Sequence, residues 1–321
     1  MSFTRSALIL ADIEGITNIY DLNDKLQYQP EYLNELKVYV DALLPHDVNR
    51  IVVCDAHDQG NHLFELSDYF NGEDIQICST VANIDFKEKY DFAMMVGFHG
   101  MNGSPGILAH SVRFNFSQFA VYSKRLKAEI PIGEVELYSR WLGAKGIPVI
   151  LVAGDREATY EGNCFNPYRA VCCVKSFFES APACRDALYR KIHSCVDFAL
   201  SLDPSTCLSL DSDAISITFS HVDLPEELLK AGYPIVGEKL IYDTCTAFVE
   251  GLYPLVAQLI KFDNKNIAAN SELLKKLRNI AATIDRAKFE HSTIEALLSK
   301  KNLYSMSKKD REEVCSYFNL R

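Results

Sequence analysis

The stretch Ala7-Leu8-Ile9-Leu10-Ala11-Asp12-Ile13-Glu14-Gly15 decides how the rest of the chain is read. An apolar run of strand length breaks off in two carboxylates one residue apart, followed by a glycine. The run predicts a strand over Ala7–Ile13. Residues two apart in a strand point to the same side, so Asp12 and Glu14 converge. Further strands are predicted at Arg50–Asp55, Phe92–Gly97 and Pro148–Ala153. Helical spacing separates them: Leu33, Leu36, Val40 and Leu43/Leu44 mark Glu31–Leu44, and Gly133–Lys145 reads the same way, with Gly146 as its stop. Strands alternating with helices predict a three-layer αβα fold around a mainly parallel sheet.

Ligands in such sheets bind beyond the carboxyl ends of the strands. The four predicted strands end in Asp12-Ile13-Glu14, Asp55-Ala56-His57, Gly97-Phe98-His99 and Gly154-Asp155. Four successive strand ends therefore deliver carboxylates or imidazoles to one rim. Asp12 alone could serve as a turn residue, and either histidine alone as a hydrogen-bonded loop residue. Two like charges side by side, however, repel unless a cation or a shared proton relieves them. A mixed Asp/Glu/His set suits zinc or manganese, and a bridging carboxylate holds two ions about 3.5–4 Å apart. Such a pair lowers the pKa of a shared water and polarises a carbonyl. No G-x-S-x-G elbow, Walker-type loop or G-x-G-x-x-G follows the first strand, which removes the serine-hydrolase, P-loop and dinucleotide readings.

Beyond the first strands, Ser111–Ile132 alternates apolar and polar residues (Val112, Phe114, Phe116, Phe119, Val121) and predicts an antiparallel meander beside the main sheet. A helix at Pro182–Leu202, a strand at Ala214–Ser220, a helix near Leu224–Lys230 and another at Thr246–Phe262 follow. The tail Ser271–Arg321 carries helical stripes (Leu273, Leu274, Leu277, Ile280, Ile284). The expected organisation is a metal-site α/β domain over 1–205, a smaller α+β part over 206–262 that completes the core, and a helical extension over 263–321.

Charge narrows the function. The net −10 argues against nucleic-acid binding, because phosphate contacts need clustered Lys and Arg. Residues 261–321 nevertheless hold 13 Lys and Arg against 8 Asp and Glu, a net of +5 that leaves −15 on residues 1–260. The ten cysteines are scattered without a C-x-x-C pair and read as reduced thiols of a cytosolic protein. Ala7–Ala11 is too short an apolar run for a signal peptide or a membrane span. His46, His62, His193, His221 and His291 lack a comparable setting and read as structural or surface residues.

Four blocks resemble the zinc D-aminopeptidase family associated with dipeptide-transport operons. They are Ala11-Asp12-Ile13-Glu14-Gly15, Cys54-Asp55-Ala56-His57, the run from Gly97-Phe98-His99 through Ser104-Pro105-Gly106 to His110-Ser111, and Ile132-Gly133-Glu134 followed by Pro148 to Asp155. Order and spacing match over roughly residues 7–177, with weaker likeness to about residue 260. The resemblance implies two zinc ions per chain, and the donor set admits manganese as the alternative. Asp12 would bridge them, and Glu14, His57, His99 and Glu134 would complete the shells. It also places His110 beside the metals, as nucleophile in the family's proposed scheme or as proton shuttle or oxyanion donor on physical grounds. It implies cleavage of small peptides with a free, D-configured N-terminal residue, and a ring-shaped homo-oligomer, commonly a decamer.

Several departures bear on substrate. Ala11 stands where the family has Ser, and the stretch before Glu134 is about six residues longer. Asp243-Thr244-Cys245-Thr246 keeps only part of a threonine-rich turn, the chain is shortened after Lys175, and the tail has no counterpart. An amidase for a specialised peptide-like metabolite is therefore a second reading, and a non-catalytic peptide-binding homologue a third.

Overall fold

The structure is a computed structural model that describes residues 5–262, apart from residues 21, 23–24, 58–62, 64–74, 107, 114–115, 124–125, 177–184 and 221–222. The expected helical tail at 263–321 and the residues His62, His221 and His291 lie outside the described residues.

Six strands form one sheet: β1 (Arg5–Ala11), β2 (Val48–Asp55), β3 (Ile75–Cys78), β4 (Phe92–Phe98), β7 (Val149–Asp155) and β8 (Ala170–Lys175), in the order β3-β2-β1-β4-β7-β8. Every pairing in it is parallel. The near-continuous apolar runs of β1, β4 and β7 follow from this, since both faces are covered and no residue of β4 or β7 is exposed. Helices α1 (Lys25–Leu43) and α4 (Arg185–Ser201) cover one face. Tyr32, Leu36 and Tyr39 join Leu188, Ile192 and Val196 there around Ala7, Ile9 and Val53. Helices α2 (Glu134–Ala144) and α3 (Arg156–Phe165) cover the other face, where Ser139 meets Met95 and Gly162 lies against Val152. This is the three-layer arrangement that the alternation predicts.

The chain starts at β1, runs outward through β2 to β3, then returns across β1 to β4 and continues to β8. Adjacent strands β1 and β4 thus lead their connections away in opposite directions, which opens a crevice between their carboxyl ends. Asp12, Glu14 and His99 stand at that crevice.

The antiparallel segment expected near residues 111–132 is a hairpin of β5 (Phe116–Ser123) and β6 (Ala128–Ile132). It belongs to a second sheet rather than lying beside the first. β9 (Ile215–Phe219) pairs with β5 through Tyr122 N–H donating to the Ala214 carbonyl at 3.0 Å, and β11 (Lys239–Tyr242) pairs antiparallel with β9. Its apolar side is aromatic. Phe119 packs 5.2 Å from Phe116 and 5.3 Å from Phe248, which also lies 5.6 Å from Tyr242. Phe248 comes from α6 (residues 245–262), whose first amides, Cys245 N and Thr246 N, donate to Asp211 at 2.9 and 2.8 Å.

Residues up to Thr218 together with Lys239–Glu250 form one compact unit, which holds every element that builds the crevice. A second unit takes Phe219–Glu238 and continues from Gly251. Its described part includes α5 (Leu224–Lys230), which opens with a proline in its first turn, and the short strand β10 (Ile235–Val236). Among the described residues no helix is long and apolar enough to cross a membrane.

Backbone contacts bind the strand ends to one another. Asp12 N donates to the Val96 carbonyl at 2.8 Å, Gly15 N to the Gly97 carbonyl at 2.7 Å, and Ala56 N to the Ala11 carbonyl at 2.7 Å. Gly97 adopts φ +76°, and a Cβ there would overlap the Asp12 carbonyl oxygen. Gly97→Ala should therefore lower stability by about 2–4 kcal/mol, combining strain and overpacking. Gly146→Ala has the same φ but meets nothing within 4 Å, and should lose only about 1–2 kcal/mol. Urea unfolding compares the two, and equal losses would show that the Asp12–Gly97 approach is no constraint.

Candidate metal centre

The crevice gathers Asp12, Glu14, His57, His99, His110 and Glu134. Three overlapping groups place one ligand atom per residue within 4.8 Å of one another: Asp12–Glu14–His57, Asp12–His99–Glu134 and Glu14–His99–His110. Asp12 divides its two oxygens between the first pair of groups. Its Oδ1 lies 3.3 Å from His57 Nδ1, and its Oδ2 lies 3.5 Å from His99 Nε2. Glu14 Oε2 is 2.9 Å from His57 Nδ1, and Glu134 Oε1 is 3.4 Å from His99 Nε2. All three carboxylates are buried, and Asp12 Oδ2 accepts no conventional hydrogen bond.

Backbone carbonyls orient two of the imidazoles. His99 Nδ1 lies 2.9 Å from the Gly100 carbonyl, and His110 Nδ1 lies 2.9 Å from the Leu108 carbonyl. With those protons donated outward, each ring turns Nε2 toward carboxylates. The two rings stack at 4.2 Å and 5°, and His110 Nε2 stands 4.0 Å from Glu14 Oε1. A lone pair facing an anion is repulsive, so the His99 contacts with Asp12 and Glu134 call for a proton or a metal ion.

The electrostatics say the same. Burial and the neighbouring Glu14 push Asp12 up to about 8. Glu14 is held well below the usual carboxylate range because, against burial, His57 bonds to it and His57, His99 and His110 add their charge. Burial disfavours a charged His57, yet Asp12 and Glu14 push it up to about 11. Likewise Glu134, Asp12 and Glu14 hold His99 well above its ordinary value despite burial. Burial and the His99 charge push His110 down. Protons thus do here what a divalent cation would do, and the donor set of carboxylate oxygens and imidazole nitrogens fits zinc or manganese.

Asp55 and Asp155, also at strand ends, stay outside the three groups. Asp55 Oδ1 accepts from His57 N at 3.0 Å. Asp155 accepts from Gly100 N at 3.0 Å and from Ala158 N at 2.7 Å, capping α3 while holding the turn behind His99. Two functional side chains escape a local reading of the sequence. Lys175, buried at the end of β8, donates its ammonium to the Glu14 carbonyl at 2.6 Å and to the Ile19 carbonyl. Glu161, buried in α3, accepts from Gly133 N at 2.8 Å and from Glu136 N at 2.9 Å at the start of α2, next to Glu134. The available signals are faint: a lysine closing the apolar strand Ala170–Lys175, and a glycine before α2 where a capping side chain is usual.

A family model described as D-aminopeptidase, the peptidase family M55, matches residues 6–201. The chain belongs to this family. The D-aminopeptidase of Bacillus subtilis (strain 168) is 28% identical over 176 residues, which cover 51% of this chain and 61% of that relative. The chain therefore matches about six tenths of the relative's length. Among solved structures, the Zn-dependent D-aminopeptidase DppA from Bacillus subtilis, described as a self-compartmentalizing protease, superposes with a TM-score of 0.64. That match covers 79% of this chain and 96% of DppA at 20% identity, which shows a shared fold.

The loop after β1 rests on one more buried acid. Glu35 accepts from Thr17 N at 3.1 Å, and burial pushes it up to about 7 against that bond and the Lys175 charge. A carboxyl raised in the folded state from 4.5 to about 7 contributes stability that is full below pH 4.5 and lost as pH rises through 7. The stability difference between wild type and Glu35→Gln should therefore shrink or reverse by about 2–3 kcal/mol from pH 4.5 to 7.5. Urea unfolding across that window measures it, and a flat difference would mean Glu35 is ionised throughout.

Proposed function

We propose that this chain is a metal-dependent aminopeptidase that hydrolyses small peptides or amides next to a free N-terminal amine, using two zinc ions held by Asp12, Glu14, His57, His99 and Glu134. The division of the Asp12 carboxylate between His57 and His99 carries the reading, because a bridging carboxylate is what a two-metal site needs. Ions bound there would supply an activated water and polarise the scissile carbonyl.

The chain's own residues do the rest. His110 keeps its Nδ1 proton on the Leu108 carbonyl, so its Nε2 lone pair can take a proton from the attacking water and return it to the leaving amine. Its depressed pKa favours the neutral ring that this needs. The names of the relatives favour a D-configured first residue and a self-compartmentalising homo-oligomer, and ring closure around an inner chamber would restrict substrates to short peptides. The free thiols of the eight described cysteines suit a cytosolic setting.

Asp12→Ala should lose both metals and all turnover of D-alanine amides, since one residue serves both ions. His110→Ala should keep its metals and lose roughly 10²–10⁴-fold in kcat. Metal analysis and hydrolysis assays on free-amine and N-blocked substrates read both. Retained turnover in Asp12→Ala would refute the site, and hydrolysis confined to blocked substrates would favour the specialised amidase.

A further inference from the structure

Helix α2 begins in an unusual way. Gly133 is its N-cap and offers no side chain, although the first turn leaves several amides without intrahelical partners. Such free amides, with the positive end of the helix dipole, attract the nearest carboxylate. The nearest in sequence is Glu134 itself, at the first helical position. In the structure Glu134 turns away instead. Its Oε1 accepts from Val112 N at 2.6 Å and faces His99 Nε2 at 3.4 Å.

Glu161 occupies the position Glu134 leaves. One oxygen, Oε1, takes both Gly133 N and Glu136 N, so a residue from α3 caps α2 from outside. The fit depends on glycine, because a Cβ on Gly133 would overlap Glu161 Oε2. The second oxygen, Oε2, is buried and accepts nothing, so the carboxylate's bonding is devoted to the helix end.

We propose that Glu161 is a positioning residue of the metal centre: by capping the amides of the α2 N-terminus, it keeps the Glu134 carboxylate from folding back on its own helix and leaves it to bind metal beside His99. The inference rests on Glu134 being a ligand. Glutamine at position 161 presents the same carbonyl oxygen to both amides and preserves the cap. Alanine removes the cap, and aspartate is a methylene too short to reach both amides.

The test is metal affinity, measured by competition with a chromophoric chelator on the full chain, with circular dichroism to confirm folding. Glu161→Ala and Glu161→Asp should bind the weaker metal roughly ten- to a hundredfold less tightly, the usual effect of losing an outer-shell partner, while Glu161→Gln stays close to wild type. Glu161→Ala should also cost nothing further in a Glu134→Ala background, because its effect runs through Glu134. A purely structural role would lower stability equally in the wild-type and Glu134→Ala backgrounds without moving metal affinity. Wild-type affinity in the Ala and Asp variants, or an additive double mutant, would overturn the proposal. If Glu161→Ala fails to fold, the contrast of Asp with Gln decides alone. Unchanged metal binding in Glu134→Ala would instead refute the ligand reading on which the proposal rests.

Discussion

Asp12 and Glu14 place two carboxylates one residue apart in a site where both are buried, and the rest of the structure answers to that constraint. At about 4 Å two like charges repel by roughly 4 kcal/mol at an effective dielectric of 20, a large share of a domain's net stability. The fold keeps them together through the Gly15–Gly97 and Asp12–Val96 contacts and surrounds them with imidazoles. Two of those imidazoles are tethered by carbonyls so that their lone pairs face inward. Protons or metal cations reconcile these groups. The raised His57, His99 and Asp12 hold protons here, and divalent ions bound at the same donors would replace them.

Holding such a site requires rigid backing, and it comes from one continuous segment. Asp155 ends β7 and grips Gly100 behind His99, Glu161 in α3 grips the start of α2 beneath Glu134, and Lys175 ends β8 and grips the Glu14 carbonyl. Three buried ionisable side chains, each bonded to backbone groups, fix three of the segments that carry the candidate ligands. Hydrogen bonds serve better than apolar packing here, because they set both distance and direction. The crossing of connections between β1 and β4 then opens the crevice above this base.

The sequence made the rim legible because strand ends are local features. The apolar runs at Ala7, Arg50, Phe92 and Pro148 each stop at a polar residue, and the alternation with helices assigns those stops to one edge of a sheet. Strands β3 and β8 leave no such mark because they are short and lie beside polar stretches, and neither does α3, whose sequence, Arg156–Phe165, looks like a solvated helix. The second sheet was legible only in part. Its hairpin shows in the alternation of Phe116, Phe119 and Val121, but its partner strands arrive about ninety residues later, and no local pattern announces such a pairing. Glu161 and Lys175 were hidden for a related reason: a charged residue in a helix or strand reads as surface until the fold shows what it meets.

Metal content per chain, by plasma mass spectrometry on protein purified without chelators or a histidine tag, tests the central claim most directly. The account predicts about two zinc ions per chain, the stoichiometry of a bridging-carboxylate site. Protein that binds no metal, even after incubation with zinc or manganese, would contradict it, and would leave the buried carboxylates to be held by protonated histidines alone.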